Sequence, residues 1–240
     1  MLMESEVAFR SKGFEFRAFC CRPDDGALPK AHVLVVHEIH GLTDQIRDIC
    51  RFLAENGYTA FAPDLWSRVG TPDLPDHNAI LRKLQETPDK LVLEHIKDAI
   101  NHLKQTENPR KLAVFGLGIG GTWAMLLSAE SEVELNACVS FYGTLIREPA
   151  AYKMNPIDHL DGMRCPLLFV SGALDDVPVV VPKHDVVRLG KAAQEKGKQC
   201  RTILVEKAGY AFCNPALKHY DEVICRDALD QVVNFLDEKL

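Results

Sequence analysis

The chain has no Lys/Arg cluster, no long apolar run, no internal repeat and no CxxC pair. Each absence excludes a class. Nucleic-acid backbones are held by concentrated positive charge, and here 28 Lys and Arg face 34 Asp and Glu, a net charge of −6. A bilayer span needs about 20 apolar residues, whereas the longest runs, Val33–Val36 and Val177–Pro182, are far shorter. Clustered Cys and His at metal-binding spacings are missing, so no metal and no cofactor is expected. With only 15 Gly and 13 Pro, collagen-like and low-complexity structure are excluded, and an apolar fraction of 47% excludes disorder. Glu4 and Glu6 interrupt any apolar core of a secretory leader. The expectation is therefore a cytoplasmic protein whose eight cysteines (Cys20, Cys21, Cys50, Cys138, Cys165, Cys200, Cys213 and Cys225) are reduced thiols. Its partner is expected to be a small molecule, not a nucleic acid or a membrane.

Strand and helix signals alternate along all 240 residues. Val7–Arg10 and Phe14–Cys20 flank Ser11-Lys12-Gly13 and read as an antiparallel hairpin. His32–Val36 is a β-branched apolar run of the kind buried on both faces. Asp44–Asn56 carries Ile46, Ile49, Phe52 and Leu53 at helical spacing, and Gly57 ends it. Tyr58–Ala62 is the next strand. A polar loop containing Pro63, Pro72 and Pro75 follows, then helices near His77–Glu86 and Pro88–Thr106. Strands at Lys111–Phe115, Ala137–Phe141, Pro166–Ser171 and Arg201–Val205 alternate with helices reaching about Ser131, over Lys183–Lys196 and over Tyr220–Leu240. Repeated β-then-α units predict a doubly wound, mostly parallel sheet in one domain, residues 1–240.

Ligands bind such sheets at the carboxyl ends of the strands. Four loops therefore matter: His37–Thr43, Gly116–Gly121, Gly172–Pro178 and Ala208–Phe212. A strand running into Gly116-x-Gly118-x-Gly120-Gly121 and then a helix has the layout of a nucleophile elbow, whose central residue is normally Ser or Cys. Here it is Gly118. The same string fits a dinucleotide-binding Gly-x-Gly-x-x-Gly, but only Glu132 and Glu134 offer the acidic residue, and the loop is mid-chain.

In order along the chain, His37-Glu38-Ile39-His40-Gly41, Ala62-Pro63-Asp64-Leu65, the Gly116–Gly121 loop, Phe141-Tyr142-Gly143, Gly172-Ala173-Leu174-Asp175 and Ala208-Gly209-Tyr210-Ala211-Phe212 resemble the dienelactone hydrolases (carboxymethylenebutenolidases). The resemblance runs from about Val7 to Leu240. It implies a compact α/β-hydrolase fold without a separate cap domain, and a Cys-His-Asp triad that opens lactone or ester bonds. It places the triad acid on Asp175, with Asp176 as fallback, and on Glu38 the glutamate that pairs with the resting thiol. Ile39 and Ile119 stand where backbone N–H groups form the oxyanion hole. The nucleophile, however, falls on Gly118 and the general base on Tyr210.

A glycine cannot attack a carbonyl, and a phenol with a reference pKa of about 10 is a poor base near neutrality. The triad is degenerate. Three functions follow as alternatives: a small-molecule enzyme of lyase, cyclase or isomerase type, a ligand-binding pseudo-enzyme, or a hydrolase using activated water or a relocated nucleophile such as Cys213. For the first, Glu38, Asp175, Tyr210, His37 and His40 are the candidate acid–base groups, and Gly118, Ile39, Ile119, Tyr142 and Arg82 the candidate substrate contacts. Each has a plainer alternative. His37 and His40 also read as hydrogen-bonded loop histidines, Tyr210 as filler for the lost imidazole, Tyr142 as core and Arg82 as a solvated helix residue.

Overall fold

The computed structural model describes the chain except residues 25, 27, 71–76, 148–152 and 175–179, and the side chains of 77, 78, 80 and 81. Among the described residues eight strands form one sheet: β1 (Leu2–Ser11), β2 (Phe14–Pro23), β3 (His32–Val36), β4 (Thr59–Pro63), β5 (Leu112–Leu117), β6 (Ala137–Phe141), β7 (Leu167–Gly172) and β8 (Cys200–Val205). Their order is β1-β2-β4-β3-β5-β6-β7-β8. The β1–β2 hairpin and the β2–β4 pair are antiparallel, and every other pair is parallel. Among the described residues six helices surround it: α1 (Asp44–Glu55), α2 (His77–Glu86), α3 (Asp89–Thr106), α4 (Ile119–Ser128), α5 (Lys183–Glu195) and α6 (Glu222–Lys239), with a 3-10 turn at Pro156–Gly162. This is the α/β-hydrolase sheet that the alternating pattern predicts.

Burial explains the strand composition. Every residue of β3, β4, β5, β6 and β7 is buried, so these strands show apolar runs and no alternation. α1 packs on β2 and β4, α4 on β5 and β6, α5 on β8, and α6 on β6 and β7. α1 buries Ile46, Ile49, Phe52 and Leu53 along one stripe, and Gly57, at φ +90°, turns the chain out of it. The hairpin strands extend beyond the segments expected from sequence because exposed polar positions such as Glu4 and Glu6 still pair across the ladder with Cys21 and Phe19.

Strand order positions the site. From β3 the chain steps to β4 on one side and later to β5 on the other, which makes the carboxyl ends of β3 and β5 the topological switch point. Val36 is opposite Gly116 in the β3–β5 ladder, so Glu38 and Gly118 each emerge two residues beyond one matched pair. Leu117 is opposite Phe141, which delivers Tyr142 one residue past β6. The approach of α4 to β3 demands a bare backbone. A Cβ on Gly120 would lie 2.2 Å from the Val36 carbonyl oxygen.

Candidate active site

Gly118 joins β5 to α4 at φ +54° and ψ −125°, a conformation that strains residues bearing side chains. Its N–H donates to the Phe141 carbonyl (2.9 Å), and its own carbonyl accepts from Gly121 N–H (2.9 Å). The turn between β5 and α4 keeps this geometry with a glycine at its centre. A Cβ placed there would meet the Tyr210 hydroxyl at 3.3 Å and Glu38 Cγ at 3.5 Å. The phenol oxygen thus stands in tight contact with the first side-chain atom any other residue would bring here.

Glu38 is buried and both of its oxygens accept hydrogen bonds, from Tyr142 Oη to Oε1 (3.1 Å) and from Asn214 Nδ2 to Oε2 (2.6 Å). The Asn214 amide is oriented by its other end, because Oδ1 accepts from Ala216 N–H at 3.0 Å. Two neutral donors on one carboxyl group match a carboxylate, which only accepts. Tyr142 is fully buried yet held at φ +40°, uncommon for a bulky residue. Burial, then the negative charge of Glu38, push its phenol well above the ordinary value, so it serves as a protonated donor. Tyr210 is half-buried, its ring edge-on to Tyr142 with centroids 5.4 Å apart.

His40 Nδ1 lies 3.7 Å from Glu38 Oε2, too far for a hydrogen bond, and that buried atom has no hydrogen-bond partner among the described residues. His37 is fully buried with both nitrogens engaged. Leu65 N–H donates to Nε2 (2.9 Å), so Nδ1 carries the proton and donates to the Glu38 carbonyl (2.6 Å). Burial pushes its pKa down, which keeps the ring neutral. His37 therefore braces the loop that presents Glu38 and offers no nitrogen to a substrate. Ile39 is fixed through its carbonyl, which accepts from Trp66 Nε1 (2.9 Å). Neither the Ile39 nor the Ile119 N–H donates to the backbone of the described residues, and Ile119 opens α4, where amides lack helical acceptors.

Other expected residues fall elsewhere. Arg82 is exposed on α2. Asp175 and its fallback Asp176 lie outside the described residues. Cys213 is no thiol nucleophile: it forms a disulfide with Cys225, which also corrects the expectation of eight reduced thiols. Proximity decides that pair, for the loop after β8 folds back on the first turns of α6 and brings the two Cα atoms to 4.8 Å. Asn214 was not foreseen. Its only sequence signal is an Asn-Pro step four residues beyond Tyr210, a turn signature. Among the described residues no group of three His, Cys, Asp or Glu could hold a metal. Two small surface grooves, of about 130 Å³ beside Lys97 and Asn101 and about 140 Å³ beside Ile203 and Ile224, contain none of the Glu38 cluster.

The elbow, its place at the switch point and the flanking loops agree with what the comparisons find. The model of the dienelactone hydrolase family matches residues 16–240. The chain belongs to the dienelactone hydrolase family. A Yersinia pestis protein named "Putative carboxymethylenebutenolidase" is 31% identical over 211 residues, covering 86% of this chain and 78% of its own. A Salmonella typhimurium protein of the same name is 30% identical over 231 residues, covering 94% and 83%. The crystal structure of a Klebsiella pneumoniae "Putative Dienelactone Hydrolase" superposes with a TM-score of 0.91 at 26% identity over 99% of both chains. Within this dienelactone hydrolase fold the Glu38 side chain and the Tyr210 hydroxyl both border the elbow.

Proposed function

We propose that this member of the family is a small-molecule enzyme that moves protons without forming an acyl-enzyme, an isomerase or lyase acting on a carbonyl compound with an acidic α C–H. One observation carries the reading: the Tyr210 hydroxyl and the Glu38 side chain both approach, within 3.5 Å, the point above Gly118 where a nucleophile would begin. A carboxylate and a phenol are a base and an acid, and with no nucleophile between them their chemistry is proton transfer.

In this mechanism the substrate carbonyl oxygen is held by the Ile39 and Ile119 N–H groups. Glu38 takes the α-proton, and the electron pair moves onto that oxygen as an enolate stabilised by the two amides. The Tyr210 hydroxyl, whose ordinary pKa of about 10 makes it a donor at neutrality, then protonates the γ-carbon or a departing oxygen. The phenolate recovers a proton from the Glu38 carboxylic acid, and both groups return to their starting states. Tyr142 and Asn214 position the carboxylate. Domain extent 1–240 and a cytoplasmic setting belong to the same proposal.

The test is solvent exchange. Small lactones and β,γ-unsaturated or β-hydroxy carbonyl compounds in D₂O, followed by NMR, take up deuterium at the α-carbon with wild-type protein. Glu38→Gln loses about 10²–10⁴-fold of that rate. Tyr210→Phe retains α-exchange and slows product formation. Binding without exchange by the wild-type protein would replace this reading with a ligand-binding role. A burst with activated aryl esters would replace it with hydrolysis.

A further inference from the structure

Six cysteines, Cys20, Cys21, Cys50, Cys138, Cys165 and Cys200, are free thiols. Burial pushes Cys20 and Cys200 up to about 11 and Cys165 up to about 12, values at which little thiolate exists near neutrality. The Cys213–Cys225 disulfide differs from them in place as well as in oxidation state. Cys213 is buried in the loop that carries Tyr210 and Asn214, and Cys225 sits half-buried on the first turns of α6.

That loop touches the site at three consecutive levels. Phe212 packs edge-on to Tyr142 with centroids 5.5 Å apart. The Cys213 backbone lies near enough to the Tyr142 hydroxyl to favour its charged form slightly, and that hydroxyl donates to Glu38. Asn214, the next residue, holds the other Glu38 oxygen. Beyond the disulfide, the loop is tied to the start of α6 by the Asp221 N–H donating to the Phe212 carbonyl (3.1 Å). Ala211, at φ +56°, is a further bent point in the same stretch. The covalent bond therefore fixes a strained segment whose polar groups orient the carboxylate.

We propose that the Cys213–Cys225 disulfide is a thiol-exchange site at which a low-molecular-weight thiol such as glutathione releases the 208–220 loop and unfastens Glu38 from Asn214. A thiolate attacks the more accessible Cys225 sulfur. The S–S bond breaks, and Cys213 leaves as a thiolate that takes a proton. A second thiol attacks the outer sulfur of the mixed disulfide, releasing the oxidised thiol dimer and the Cys225 thiol. Two thiols are oxidised and one protein disulfide is reduced. The consequence for turnover rests on the acid–base reading above; the release of the loop does not.

Wild-type protein equilibrated with glutathione disulfide shows six thiols after denaturation, and after reduced glutathione shows eight. Hydrogen–deuterium exchange then reads the loop directly. On reduction, amides of 208–220 and of 37–41 exchange faster by on the order of tenfold or more, while α1 and α3 do not change. Cys225→Ser shows the fast pattern without reductant, and should that variant fail to fold, the reversible wild-type pair of states still decides. Eight thiols after glutathione disulfide, or identical loop exchange in the two states, overturns the proposal. A loop that loosens on reduction in a protein without turnover refutes the catalytic reading alone.

Discussion

Gly118→Cys, alone and with Tyr210→His, tests the site most directly, because the structure gives opposite expectations for the two variants. A side chain at φ +54°, ψ −125° costs about 1–3 kcal/mol. The new Cβ would stand 3.3 Å from the Tyr210 hydroxyl and 3.5 Å from Glu38 Cγ, already tight on the first, so the hydroxyl must give way. Such overpacking adds about 1–3 kcal/mol. For a chain of this size each kcal/mol is about 2–4 °C in Tm, so the single variant melts several degrees below wild type. Tyr210→His removes the phenol oxygen and relieves the second cost, so the double variant recovers about 1–3 kcal/mol, a favourable coupling in a double-mutant cycle. It also places a thiol at the elbow with an imidazole at position 210 beside it. With an activated aryl ester it shows an acyl-enzyme burst and turnover at least about 10²-fold above wild type. A single variant as stable as wild type would refute the placement of the Tyr210 hydroxyl over the elbow. A folded double variant without esterase activity would refute the alignment of Gly118 and Tyr210 with the nucleophile and base.

Two further predictions concern the framework. Asp89, fully buried, binds Arg147 through both oxygens and also accepts from Trp123 Nε1 and Met154 N–H. Burial pushes its carboxyl up, but the Arg147 hydrogen bond and charge outweigh that and hold it below the usual range. Its stabilisation is therefore present above the unfolded-state pKa and lost as pH falls through the lower folded value. Asp89→Asn should cost about 3–5 kcal/mol in urea denaturation at pH 7 by stranding Arg147, and should flatten the acid limb of the stability curve. His37, pushed down by burial, must gain a proton on unfolding below about pH 6.5, so it makes stability fall as pH drops through that value. His37→Phe removes this slope between pH 7 and 5 and costs about 1–3 kcal/mol by leaving the Leu65 N–H unpaired.

Much of the architecture was legible because its signals are local. Five strands buried on both faces need apolar β-branched runs, and α1 needs a 3.6-residue stripe; both are visible in short windows. Helix and strand ends shifted by a few residues where pairing outweighed composition, as in β1, whose charged outer residues continue the ladder. Among candidate site residues, the order of motifs led to Glu38, Gly118, Tyr142 and Tyr210, which the structure brings together. It did not reveal that both His37 nitrogens would be taken by backbone groups, since one partner, Leu65, leaves a different strand.

What the sequence determined by itself is an α/β-hydrolase sheet with glycine at the centre of its strand–helix turn, a residue that brings no attacking atom whatever surrounds it. What only the tertiary structure decided is the use of the vacated space and the setting of the carboxylate. Tyr142 and Asn214 lie 104 and 176 residues from Glu38, and matched ends of neighbouring strands and a loop pinned to α6 carry them to its two oxygens. Hydrogen bonds act over about 3 Å, so such contacts depend on strand register and loop closure, which no local pattern of residue types encodes.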